Sequence, residues 1–81
     1  VSVKPDLTLF VVRVRDKYKG DIFLSHHLVW QASKEEAIEQ TRQHAKHQGL
    51  DVASIEVIGQ LTGEVIEMSK VEDIIRERRY T

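Results

Sequence analysis

The chain has 81 residues, 41% hydrophobic and 31% charged, with a formal net charge of −1 and no cysteine. That length suits one domain over 1–81 with a small core, and the composition is globular rather than disordered. Disulfides, thiolate metal sites and cysteine nucleophiles are excluded; no apolar run approaches the roughly 20 residues a bilayer requires, and residues 1–5 are too polar and too short for a signal peptide, so a cytoplasmic chain without membrane contact is expected.

Residues 7–15 read Leu-Thr-Leu-Phe-Val-Val-Arg-Val-Arg, a β-branched and aromatic run that predicts a first strand. Alternation places Phe10, Val12 and Val14 on one face and Leu9, Val11, Arg13 and Arg15 on the other. The polar stretch 16–21 contains Gly20 and predicts a turn. Residues 22–31 predict a second strand, antiparallel to the first. Ile22, Leu24, His26, Leu28 and Trp30 share one of its faces; Phe23, Ser25, His27, Val29 and Gln31 share the other. The first set is the more apolar, so it is expected to join Phe10 and Val12 in the core.

Ser33-Lys34-Glu35-Glu36 has the form of a capping box and opens a helix that runs to about residue 48. Glu35, Glu36 and Glu39 near its start and His44, Lys46 and His47 near its end suit the helix dipole. Gly49 fits the left-handed position after the helix. Ala37, Ile38, Thr41 and Ala45 form a stripe of small residues that lets the helix lie close on a sheet. A third strand follows over 52–60, with Ile55 and Val57 on one face and Glu56 and Ile58 on the other. Residues 61–63 predict a turn and 64–67 a short fourth strand. Ser69-Lys70-Val71-Glu72 repeats the capping-box pattern and opens a second helix to about residue 79, with Val71, Ile74 and Ile75 as its apolar set. The order β-β-α-β-(β)-α, with a right-handed crossover from second to third strand, implies an α+β fold. Its small antiparallel sheet has order 2-1-3, with one main helix on one face and a short C-terminal helix.

The second sheet face carries the functional expectation. Leu9, Val11, Phe23, Val29 and Ile58 are too many apolar groups to leave wet. The second helix, a second copy of the chain or a foreign protein must cover them. The leading expectation is a small non-enzymatic protein–protein interaction module that occupies a partner's surface, the partner being another protein or a twin in a homodimer. Leu9, Val11, Phe23, Val29 and Ile58 are its expected contacts, with Arg13 and Arg15 as rim charges. Charge distribution fits such a role: residues 1–33 carry a net +2 and residues 51–81 a net −3, so the halves can attract within or between copies. By association alone, a compact cysteine-free domain of this size suits a bacterial or phage regulatory or inhibitory accessory protein. The strand and capped helix over 29–39 are similar to segments of such domains, a likeness that reports capping physics.

The first alternative is nucleic-acid binding. Arg13, Arg15 and Lys17 alternate along one strand face beside Tyr18 and Lys19, a mixture of cations and ring faces able to hold a single strand. The slightly negative net charge and Glu56 on the same face oppose it. The second alternative is a histidine metal site. His44 and His47 stand three apart on a helix, but His26 and His27 are adjacent on a strand and point apart. No H-E-x-x-H or comparable ligand set is present, so no metal ligand and no cofactor is assigned. Catalysis is not expected either. Ser25 is adjacent to His26, which points to the opposite face, no G-x-S-x-G surrounds it, and the four scattered glycines form no phosphate-cradling loop.

Overall fold

The computed structural model describes residues 7–63 and 65–78. Two long strands, β1 (Thr8–Tyr18) and β2 (Asp21–Gln31), lead into helix α1 (Lys34–His47), strand β3 (Val52–Leu61) and helix α2 (Met68–Glu77). The fold is α+β, and the three strands form one antiparallel sheet of order β2-β1-β3.

The hairpin turn is shorter than the polar stretch 16–21 suggests. Only Lys19 (φ 51°) and Gly20 (φ 84°) lie outside the strands, both with positive φ, and Tyr18 pairs with Asp21. Two consecutive positive-φ residues are the signature of the tight hairpin turn whose twist matches that of the strands. The ladder then continues without a break from Tyr18–Asp21 to Thr8–Gln31.

That turn corrects the facial assignment of β2. A two-residue loop pairs even-numbered residues of β1 with odd-numbered residues of β2: Phe10 with Val29, Val12 with His27, Val14 with Ser25. Directly opposed residues share a sheet face. Val29, not the set Ile22, Leu24, His26, Leu28 and Trp30, therefore joins Phe10 and Val12 against α1.

Helix α1 starts and stops where its sequence predicts, with only the Ser33 half of the capping box formed among the described residues and Ile38 half-buried. The Ser33 Oγ accepts from the Glu36 N–H at 3.2 Å. At the other end the Leu50 N–H bonds the Ala45 carbonyl and the Gly49 N–H the Lys46 carbonyl, with Gly49 at φ 75°, the double bond of a Schellman stop. Ala37, Thr41 and Ala45 are buried, and Phe10, Val12, Val29 and Ala37 form one core layer flanked by Ile55 and Val57.

Helix α2 builds the second layer. Val71 is buried with Leu9, Val11 and Ile58, and Trp30, Leu61, Ile66, Ile74 and Ile75 pack around them. Of the three ways to cover this face, the chain's own second helix covers its β1–β3 half. The start of α2 differs from expectation: it begins at Met68, with Glu67 at the cap position and no side-chain capping bond, so the Ser69 box is not used. The expected fourth strand does not form at residues 65–67, which are irregular, because Ile66 turns into the α2-side core instead of pairing along an edge. Glu64 and the expected helix end at Arg79 lie outside the described residues. Among the described residues, no helix is long and apolar enough to cross a membrane.

Candidate interaction surface

The residues expected to meet a partner are mostly inside the chain. Leu9, Val11 and Ile58 lie beneath α2, and Val29 lies beneath α1. They form no surface, because α1 covers one face and α2, one of the three coverings the sequence left open, covers the other over β1 and β3. Phe23 alone is open, half exposed on the α1 side near the hairpin end, its ring edge-on to Tyr18 at 6.4 Å.

Arg13 and Arg15 are not free rim charges. Arg13 is 2% exposed. Its Nε donates to His26 Nε2 at 3.3 Å, its Nη2 donates to the Arg78 carbonyl at 2.6 Å, and its Nη1 lies 3.8 Å from the Glu56 carboxylate. It thus joins β2, β3 and the C-terminal end of α2, where a cation meets the last helix carbonyls favourably. Arg15 pairs with the same carboxylate at 3.4 Å. The row Arg13, Arg15, Lys17 is therefore consumed at its inner end. Lys17, Tyr18 and Lys19 remain exposed at the hairpin tip, with the Lys19 ammonium 5.4 Å from the Tyr18 ring centre.

The histidines also meet other partners than sequence spacing suggests. His27 of β2 meets His44 of α1, ring centres 5.7 Å apart, and shares a 3.2 Å hydrogen bond with Ser25 Oγ. Among the described residues no three His, Cys, Asp or Glu side chains gather as a metal site. His26 sits on the opposite face as the acceptor for Arg13, so its ring proton resides on Nδ1. Burial, then the Arg13 charge, then His27 hold the His26 pKa below its ordinary value; burial and then His44 do the same for His27.

The surface that does stand open is the outer side of the sheet at β2. Helix α2 packs mainly on β1 and β3; of β2, Trp30 joins the α2-side core and His26 bonds Arg13, while Ile22, Leu24 and Leu28, with Phe23 on the reverse face, are 43–51% exposed. Between β2 and α2 runs a groove of about 430 Å³ with Arg13 and His26 in its wall, Leu24 on one side and Glu72, Ile75 and Arg76 on the other. Among the described residues no strand pairs with the outer edge of β2. Its eleven residues hold one Asp, at the very start, and no Lys, Arg, Glu or Pro. The opposite edge, β3, is different: two register irregularities and Glu56 interrupt it. Bulges and charges are what keep a sheet edge from pairing with another chain; β3 has them and β2 lacks them.

Sequence reasoning missed Ile22, Leu24 and Leu28 as surface groups because it sent them to the core. The signal that would have found them is the Lys19-Gly20 pair. Read as a two-residue turn, it sets the parity of the hairpin and turns these side chains away from α1. No family model matches the chain, and no curated protein or solved structure is significantly similar to it.

Proposed function

We propose that this chain is a non-enzymatic protein-interaction module that acts in the cytoplasm by adding a partner's strand to the open edge of β2. The observation that carries this reading is the contrast between the two sheet edges. One is irregular and charged; the other is long, regular, nearly uncharged and flanked by half-exposed Ile22, Phe23, Leu24 and Leu28. Strand addition of this kind takes affinity from main-chain hydrogen bonds and specificity from alternate side chains. The cytoplasmic part of the proposal rests on the absence of cysteine, which suits a reducing compartment.

A photoreactive phenylalanine analogue placed at Phe23 tests the surface directly. Illumination in living cells is expected to give discrete protein adducts from position 23 and none from Glu35, an exposed position on α1. Equal adducts from both positions, or none from position 23, would sink the reading.

A further inference from the structure

Resting on that reading, we infer that the strand β2 receives is the β2 of a second copy, paired antiparallel about a two-fold axis at His26 to give a continuous six-stranded sheet. A two-fold interface must be self-complementary, because each residue meets its counterpart's partner and the reverse. The sequence of β2, Asp-Ile-Phe-Leu-Ser-His-His-Leu-Val-Trp-Gln, has this property when folded about its sixth residue. Antiparallel pairing centred on His26 sets Leu24 against Leu28, Phe23 against Val29, Ile22 against Trp30 and Ser25 against His27 of the second copy. The exposed match is Leu24 with Leu28; Phe23 and Ile22 fall opposite Val29 and Trp30, which are packed beneath α1 and into the α2-side core, Ser25 falls opposite His27, and no Asp, Glu, Lys or Arg meets a like charge.

Two further features fit a twin. The edge is regular over all eleven residues, about 36 Å at 3.3 Å per residue, close to the 42 Å long axis of the molecule, so two copies can pair along their whole length. The exposed residues alternate in the way this register needs: Ile22, Leu24 and Leu28 lie on the α2 side and Phe23 on the α1 side.

The register is tested by charge exchange at two exposed positions. In the proposed pairing, residue 24 of each copy faces residue 28 of the other. The double substitution Leu24→Lys with Leu28→Lys then opposes two pairs of like charges, and Leu24→Glu with Leu28→Glu does the same with opposite sign; mixing the two proteins opposes unlike charges. Sedimentation is expected to give a dimer, twice 9.4 kDa, for the unaltered chain. Each double variant is expected to be a monomer with unchanged far-ultraviolet circular dichroism, and their mixture a dimer. A monomeric unaltered chain at high micromolar concentration overturns the self-pairing; if position 23 still gives adducts with another protein, strand addition at β2 survives without it. A dimer that both double variants leave intact overturns pairing through β2. Loss of the folded spectrum in either variant moves the test to Phe23→Lys, for which the same monomer is expected and a persisting dimer counts against the proposal.

Discussion

A guanidinium that is 2% exposed must find partners for its charge and its donors inside the fold, and Arg13 finds them on three elements: His26, the Arg78 carbonyl and Glu56. Hydrogen bonds involving a charged group contribute roughly 1.5–3 kcal/mol, and an emptied buried site adds a cavity term. Arg13→Ala is therefore expected to lower stability by about 2–4 kcal/mol in urea unfolding. Arg15→Ala, which loses only a half-exposed ion pair, is expected to lose under about 1 kcal/mol. Equal losses would mean that Arg13 holds nothing together. In the sequence both arginines looked alike, alternating on one strand face. Nothing in the local pattern distinguishes them, because the difference is made by α2, whose last turn arrives 65 residues later at Arg13.

At the scale of elements, the attachment of α2 decides which surface stays open. Gly59 of β3 lies directly under Ile74: a Cβ there would come within 2.6 Å of the Ile74 Cγ2 and 3.0 Å of its Cδ1. The glycine has no positive φ, so its use is close approach, not turning. At a strand position with room, Gly→Ala is neutral or stabilising through the unfolded chain; here overpacking is expected to reverse the sign and lower stability by roughly 1–3 kcal/mol. Hydrogen exchange is the discriminating readout. Amides of α2 should exchange faster in Gly59→Ala while those of α1 keep their protection, and a stabilised variant with unchanged α2 exchange would refute the close contact. The contrast between the helices was half legible. The Ser33 cap and the Gly49 stop mark α1 in the sequence and occur as marked. The equally plausible Ser69 box is passed over, because Ile66, Val71 and Ile74 must reach the β1–β3 face and the helix begins where that docking places it.

For the molecule as a whole, pH is the simplest probe of how the two faces are held. His26 faces Arg13 of β1, with Glu72 and Arg76 of α2 lining the same groove, and His27 faces Ser25 and His44. Both imidazoles are held below their ordinary value of 6.5 by burial and neighbouring positive charge. The folded chain then binds fewer protons than the unfolded chain in the window just below 6.5. Their contribution to stability is complete above 6.5 and is lost as pH falls through the lowered values. The melting temperature at pH 5.5 is expected to be below that at pH 7.5, and the double substitution His26→Gln with His27→Gln should flatten the difference. A double variant that keeps the full acid loss would place its cause in other groups.

What the sequence by itself determined is everything set by neighbours along the chain: the strand character of β1, the caps of α1, its small-residue stripe, and through the handedness of the crossover the order β2-β1-β3. What only the tertiary structure decided is what lies beneath α2; the facing of β2 hung on the length of one local turn. Strand alternation assigns residues to two faces but cannot say which face is inner; that parity is set by one turn, Lys19-Gly20, and by a helix docking from the far end of the chain. The docking of α2, a non-local event, buries Leu9, Val11, Arg13 and Ile58, while the parity of the turn leaves Ile22, Leu24 and Leu28 at the surface, because a side chain's exposure depends on what packs against it, not on its own hydrophobicity.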